Sequence, residues 1–173
     1  MSKIFVDTNI LIYCMDDSDK KRKARCRSLI EALAGDLYGV LSTQVLQEFY
    51  VAATKKLGAD PLAVKDILHS FRRFETVGIT PEIIMDAIDC SLINRLSFYD
   101  SLIVVAAESA RCEKIWTEDL NDGKIIRGVR IESPPRPLPS LPSPELLCRI
   151  SRCAPFTLLL QTPPPFSCTL FSF

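Results

Sequence analysis

The feature that most constrains the fold is an alternation of short apolar runs with longer amphipathic stretches over residues 1–132. The short runs read as strands, and apolar residues at three- and four-residue spacing mark the helices between them. Predicted strands cover residues 4–6, 39–41, 75–78, 114–117 and 129–131, and predicted helices cover 25–34, 42–57, 61–74, 100–110 and a segment beginning at Pro81. Such alternation predicts an α/β domain with a parallel sheet.

Local signals set the limits of several helices. Ser42 or Thr43 is suited to cap the helix that Gly58 then ends. Pro61 occupies a first-turn position that proline tolerates. The segment 100–110 is the most apolar of the predicted helices, so we expect it to be the most buried.

The composition changes at Ser133. Of the chain's 12 prolines, only Pro61 and Pro81 precede this residue. The following segment is apolar, nearly uncharged and without a sustained helical or strand period, and proline-rich chain packs poorly. We therefore predict a folded domain over residues 1–132 and a Pro-rich tail over 133–173 that is either disordered or a non-native extension.

Charge and cysteine usage exclude several classes of protein. The chain has 21 acidic and 21 basic residues, so nucleic-acid binding would depend on a local patch. No apolar stretch is long enough for a bilayer and the N-terminus lacks the layout of a signal peptide, which predicts a cytoplasmic protein with no membrane partner. The seven cysteines show no C-x-x-C spacing, so we expect reduced, largely buried thiols. With a single histidine, His69, catalysis centred on histidine is disfavoured.

Four acidic residues are placed where ionised side chains are costly. Asp7 ends one apolar run, Glu48 lies inside an apolar helix, Asp100 precedes the most apolar segment and Asp119 follows the strand-like run 114–117. Moving a carboxylate from water into apolar surroundings costs several kcal/mol unless something compensates its charge. A divalent cation held by several oxygens is a simple compensator, and an all-oxygen set suits Mg²⁺ or Mn²⁺.

Each acid also has a plainer structural explanation. Asp7 is suited to a turn or a helix cap, and Asp100 is suited to cap the helix that follows it. Asp119 lies in an acidic turn, where Glu118 and Asp122 are alternatives to it.

Glu48 lies on the same helical face as apolar residues such as Phe49. Its structural alternative is a position at the edge of that face, from which it reaches Lys55 or Lys56. Gln44 and Gln47 are expected to face solvent.

The densest positive run offers candidate contacts to a phosphate backbone. Its candidate residues are Lys21, Arg22, Lys23 and Arg25. The alternative is a solvated helix start, neutralised by Asp16, Asp17 and Asp19 just before it.

Four segments carrying these acids resemble the motifs of PIN-domain nucleases, and VapC-type toxins of prokaryotic toxin–antitoxin pairs most of all. The segments are VDTNIL at 6–11, STQVLQEFY at 42–50, LSFYDSLI at 96–103 and TEDLNDG at 117–123. Their order and spacing are also similar, and the resemblance covers about residues 3–132. The tail departs from the pattern, because such domains usually end soon after a strand like 129–132.

The resemblance implies a Rossmann-like PIN fold, an α/β domain with a central parallel sheet flanked by helices. It also implies a Mg²⁺- or Mn²⁺-dependent endoribonuclease that forms a homodimer and is inhibited by an antitoxin protein. It implies that the four acids are catalytic metal ligands, and Thr8 and Asn9 are expected to orient them. The alternative is a non-catalytic PIN-like domain that binds RNA or protein. A haloacid-dehalogenase-type phosphotransferase would require an Asp two residues after Asp7, where this chain has Asn9.

Overall fold

The computed structural model describes residues 3–36 and 38–134. Apart from its first two residues, the predicted Pro-rich tail 133–173 lies outside the described residues. The division of the chain into a domain and a tail therefore stays a prediction.

The described elements alternate as the sequence predicted. The strands are β1 Ile4–Val6, β2 Gly39–Ser42, β3 Glu75–Val77, β4 Lys114–Trp116, β5 Ile125–Ile126 and β6 Val129–Glu132. The helices are α1 Thr8–Tyr13, α2 Lys20–Asp36, α3 Thr43–Lys55, α4 Pro61–Ser70, α5 Pro81–Asn94 and α6 Phe98–Ser109, with a 3-10 turn at Phe71–Arg73.

One six-stranded sheet has the order β3-β2-β1-β4-β6-β5. All neighbouring strands pair in parallel except β5, which pairs antiparallel with β6. The pairing aligns Phe5 with Val40 on one side and with Ile115 on the other, and Ile115 with Ile131. These four side chains are completely buried. The predicted α/β class with a mostly parallel sheet is confirmed.

The strand order creates a crevice at the carboxyl edge of the sheet. From β1 the chain builds outward through β2 to β3, and then returns to place β4 on the other side of β1. In parallel α/β sheets, ligands bind outside the carboxyl ends of the strands where the strand order reverses. Asp7 directly follows β1 and Thr117 directly follows β4, so both lie at this point.

The prediction that the segment 100–110 is the most buried helix is confirmed. Every residue of α6 from Ser101 to Ala107 is buried, and the helix contacts β2, β4 and β6. The cysteines of the described residues are free, and Cys26, Cys90 and Cys112 are buried as expected.

Several elements, or their limits, differ from the prediction. Helix α2 covers Lys20–Asp36 and is longer than the predicted segment 25–34. Helix α1, missed in the sequence, begins directly after Asp7, which serves as its N-cap. Helix α6 begins at Phe98 because Ser97 caps it, so the predicted start at residue 100 was wrong. The structural alternative in which Asp100 caps this helix does not hold. Strand β5 was also missed, since a two-residue strand shows no alternation.

In the part of the chain that the structure describes, no single helix is long and apolar enough to cross a membrane. Helices α5 and α6 together have the necessary length and composition, but the pair is bent by 116° at the break between them.

Candidate active site

Asp7 is a buried carboxylate at the carboxyl end of β1, with 4% of its surface exposed. Its Oδ1 accepts a hydrogen bond from the Thr8 amide at 2.5 Å, and its Oδ2 accepts one from the Thr117 hydroxyl at 2.6 Å. Burial raises the pKa of Asp7 to about 6, against the lowering effect of these two hydrogen bonds. The negative charges of Asp119 and Glu48 raise it further. A cation bound here would favour the ionised form of Asp7 and so offset the effects of burial and of the neighbouring negative charges.

Glu48 is joined to Asp7 through Thr8. The Thr8 hydroxyl donates to Glu48 Oε2 at 2.9 Å, so residue 8 contacts one acid through its backbone and another through its side chain. Glu48 Oε1 accepts from Gln44 Nε2 at 2.9 Å. These are its hydrogen-bond partners among the described residues, and neither Lys55 nor Lys56 is one of them.

The prediction that Gln44 faces solvent was wrong. Its side chain is buried, because the amide donates both to Glu48 and, at 3.4 Å, to the backbone carbonyl of Tyr99. This second contact links α3 to the residue that precedes Asp100. The helical pattern predicted that Gln44 faces solvent because its side chain is polar. The pattern contains no information about hydrogen-bond partners on other segments, and these partners are what bury Gln44.

Asp119 is connected to Asp7 through Thr117 and Asn9. Asn9 Nδ2 donates to Asp119 Oδ2 at 3.1 Å and to the Thr117 hydroxyl at 3.3 Å. The Asp119 amide also donates to that hydroxyl at 3.1 Å. Thr117 is therefore shared by three site residues, a role that sequence reasoning missed. Its only sequence signal is a polar side chain at a strand end, directly before an acidic turn.

The two alternatives to Asp119 contact other groups. Glu118 forms ion pairs with Arg25 at 3.3 Å and Arg22 at 3.9 Å. The Asp122 carboxylate accepts a hydrogen bond from the Ser133 amide at 2.7 Å. Among the three acids of this turn, Asp119 is the one that hydrogen-bonds to Asn9.

Asp100 lies in the first turn of α6. The Ser97 hydroxyl caps the helix by accepting from the Asp100 amide at 3.1 Å, and it donates to Asp100 Oδ2 at 2.7 Å. Asp100 has no direct hydrogen bond to the other three acids among the described residues. It lines an open cleft together with Asp119, whereas Asp7 and Glu48 do not line this cleft.

With this geometry established, comparisons with known proteins identify the family. The family model described as "PIN domain" matches residues 4–124, which is more than half of the chain. The chain belongs to the PIN-domain family.

Solved structures share the PIN fold at low sequence identity. VapC20 from Mycobacterium tuberculosis, described as a sarcin–ricin loop cleaving toxin, is 18% identical with a TM-score of 0.54, covering 68% of this chain and 92% of its own. A toxin–antitoxin complex from Klebsiella pneumoniae is 23% identical with a TM-score of 0.56, covering 74% and 95%. DNA-bound VapBC from Salmonella typhimurium is 22% identical with a TM-score of 0.56, covering 77% and 98%. No curated protein matches the sequence significantly.

The donor atoms of this PIN domain suit a hydrated divalent cation. Within residues 3–36 and 38–134, no three acidic, cysteine or histidine side chains are grouped closely enough to hold a metal ion. However, Asn9 Oδ1 and Gln44 Oε1 are buried without a hydrogen-bond partner, on side chains that contact Asp119 and Glu48. Buried acceptors without partners are rare in folded proteins. Mg²⁺ keeps several waters and needs only one or two direct carboxylates, so these oxygens fit such an ion.

The basic run at the start of α2 is mostly neutralised. Arg22 pairs with acids and lies over the Tyr13 ring at 4.0 Å, while Lys23 pairs with Asp17 at 2.6 Å. Arg25 pairs with Glu118, as described above, and Lys21 is exposed. This arrangement matches the alternative of a solvated helix start whose charges are balanced by nearby acids.

Proposed function

We propose that this PIN domain is a Mg²⁺- or Mn²⁺-dependent endoribonuclease and the toxin of a toxin–antitoxin pair. The observation that carries the proposal is the buried carboxylate of Asp7, joined through Thr8 and Thr117 to Glu48 and Asp119 at the carboxyl edge of the sheet. A carboxylate whose pKa is raised by burial and by neighbouring negative charges is typical of functional sites.

In this proposal, Asp7, Glu48, Asp100 and Asp119 hold the cation directly or through water. Bound there, a divalent ion would supply Lewis acidity and neutralise charge on the scissile phosphodiester. Thr8 and Asn9 orient the acids, because each donates from its side chain to one of them.

Thr117 acts as a further positioning residue. Its hydroxyl proton is directed at Asp7 Oδ2, while its oxygen accepts from Asn9 and from the Asp119 amide. These three hydrogen bonds hold the chain after β1 against the chain after β4, so Asp7 and Asp119 keep their spacing. Such preorganisation is what phosphoryl transfer requires of a protein scaffold.

The likeness to solved structures supports the biological class that we propose. One similar protein is described as a toxin that cleaves the sarcin–ricin loop, and others are toxin–antitoxin complexes, one of them bound to DNA. On this likeness we propose RNA as the substrate, an antitoxin protein as the partner and the cytoplasm as the location.

A homodimer is supported by an exposed apolar stripe on α5 that includes Met85, Ile88 and Leu92. Leu92 is 74% exposed, and large contiguous apolar surface marks protein contacts. We expect Leu92→Lys to convert a dimer to a monomer in light-scattering measurements of molar mass. Leu62→Lys, on α4 at 69% exposure, is the matched control and should leave the mass unchanged. A monomeric wild-type protein would contradict the dimer.

The nuclease proposal is tested by incubating total RNA with the purified full chain in Mg²⁺, Mn²⁺ or EDTA. We expect cutting with either ion, none in EDTA, and loss of cutting in Asp7→Asn and Asp100→Asn. Asp66→Asn makes the same chemical change on the exposed face of α4 and should cut normally. Cutting in EDTA, or by Asp7→Asn at the wild-type rate, would refute the proposed site.

The second candidate is a PIN-like domain that binds RNA or protein without cutting. It is favoured by the lack of a three-carboxylate group among the described residues. A folded protein that binds Mn²⁺ in calorimetry but leaves total RNA intact would support this candidate.

A further inference from the structure

A pair of cations borders the cleft beside the candidate active site. Arg95 directly follows α5 and Lys124 directly precedes β5, and both line the cleft that contains Asp100 and Asp119. Both side chains are exposed. Two positive charges from separate elements therefore adjoin the acids without belonging to the network around Asp7.

These two cations are available for a ligand. Among the described residues, neither Arg95 nor Lys124 has a side-chain hydrogen bond or an ion pair. The basic run at the start of α2 differs, because Arg22, Lys23 and Arg25 all pair with acids. A phosphate that bound this run would have to displace those acids, whereas Arg95 and Lys124 lose no partner on binding an anion.

The neighbouring acids restrict where a phosphate can lie. Asp100 and Asp119 repel a phosphate unless a cation lies between them and it. In the proposed enzyme that cation is the bound divalent ion, so the phosphate nearest these acids is the one that is cleaved. The next phosphate along the RNA also carries a negative charge, and it needs a positively charged partner outside the acidic network. Arg95 offers a planar fork for two phosphate oxygens, and Lys124 adds a point charge.

We infer that Arg95 and Lys124 form a subsite for a backbone phosphate of single-stranded RNA, next to the cleaved bond. This inference rests on the proposed function and extends it to the path of the substrate. The subsite contacts no base, so it contributes affinity and register and not sequence preference.

The chain contains a matched control for Arg95. Arg111 is also exposed and also follows a helix, and its φ of 58° is close to the 55° of Arg95. It precedes β4, however, and so lies at the opposite edge of the sheet from the residues that follow that strand. Replacing either arginine with glutamine removes the same charge from the same backbone conformation, and only one change touches the cleft.

The test is binding of a short fluorescent single-stranded RNA, 2′-O-methylated so that it resists cleavage, to the full chain in EDTA. Fluorescence anisotropy gives Kd over a series of salt concentrations. We expect Arg95→Gln and Lys124→Gln each to weaken binding about two- to fivefold, and each to lower the slope of log K against log salt by about 0.7. Arg111→Gln should change neither quantity, and Arg95→Lys should keep the wild-type slope.

The inference would be overturned if the Arg95→Gln, Lys124→Gln double variant kept the wild-type slope of log K against log salt. It would also be overturned if Arg111→Gln weakened RNA binding as much as Arg95→Gln does, or if the wild type did not bind the RNA. Binding of a poly-glutamate peptide that depends on Arg95, without RNA binding, would assign the cleft to an acidic protein and equally overturn it. The binding assay needs neither metal nor cleavage. If the RNA binds through this pair, but unmodified RNA of the same sequence is not cut in Mn²⁺, only the proposed nuclease is refuted.

Discussion

Replacing Asp7 with asparagine should stabilise the metal-free protein above neutral pH. The pKa of Asp7 is raised from 3.8 to about 6 in the folded protein, whereas the unfolded chain ionises at the ordinary value. Between these two pKa values the folded state binds more protons than the unfolded state, so the free energy of unfolding falls as the pH rises. Below about pH 4 there is no penalty, and above about pH 6 the full penalty of about 3 kcal/mol applies.

The asparagine variant avoids this penalty at the cost of one hydrogen bond. Its side-chain oxygen can still accept from the Thr8 amide, but its amide group cannot accept from the Thr117 hydroxyl as Oδ2 does. Such a loss costs about 1 kcal/mol. At about pH 8 the variant should therefore be more stable than the wild type by about 2 kcal/mol, and at low pH less stable by up to about 1 kcal/mol.

Urea unfolding of both proteins, followed by circular dichroism in EDTA between about pH 4 and pH 8, measures this difference directly. Asp66→Asn controls for the change of charge. Adding Mn²⁺ at about pH 8 should raise the wild-type midpoint and leave that of Asp7→Asn nearly unchanged. A stability difference that stays constant across the pH range, or a less stable variant at high pH, would refute the reasoning.

Two further substitutions test the packing and the site. Gly39→Ala would place a methyl group against the Phe74 ring, so we expect urea unfolding to show a free energy of unfolding lower by about 1–3 kcal/mol. The control is Gly78→Ala, which has nothing within 4 Å of the added methyl group and should be nearly neutral. Thr117→Val removes the hydroxyl that donates to Asp7, so we expect it to lower the free energy of unfolding by about 1–3 kcal/mol and to abolish most RNA cleavage. Thr117→Ser keeps a hydroxyl and should retain both the stability and the cleavage. Equal behaviour of the two variants would contradict the role of the hydroxyl.

The sheet could be predicted from the sequence because its central strands are short apolar runs between helical segments. Helix α1 could not, since six residues are too few to display a helical period and Asp7 was equally compatible with a turn. Strand β5 depends on pairing with β6 across a tight turn, in which Gly128 has a φ of 82°. Only the paired structure makes a two-residue strand recognisable.

At the site, the acids could be selected by their apolar surroundings, and their assignment as metal ligands stays a prediction. The roles of Thr117 and Gln44 could not be selected, because they follow from contacts between distant segments. The basic run at the start of α2 was a natural candidate for RNA, but its neutralisation depends partly on Glu118, more than 90 residues further along the chain. Sequence spacing does not show such pairing.

The hydrogen bond between Thr117 and Asp7 joins residues separated by 110 positions. On the ribosome, Asp7 emerges early, but it acquires this partner only after β4 has been synthesised and has added to the edge of β1. Chains that stop before β4 therefore carry three of the acids without the frame that holds them together. For an enzyme proposed to cut RNA, this arrangement would leave incomplete translation products inert and delay activity until nearly all of the domain has been made.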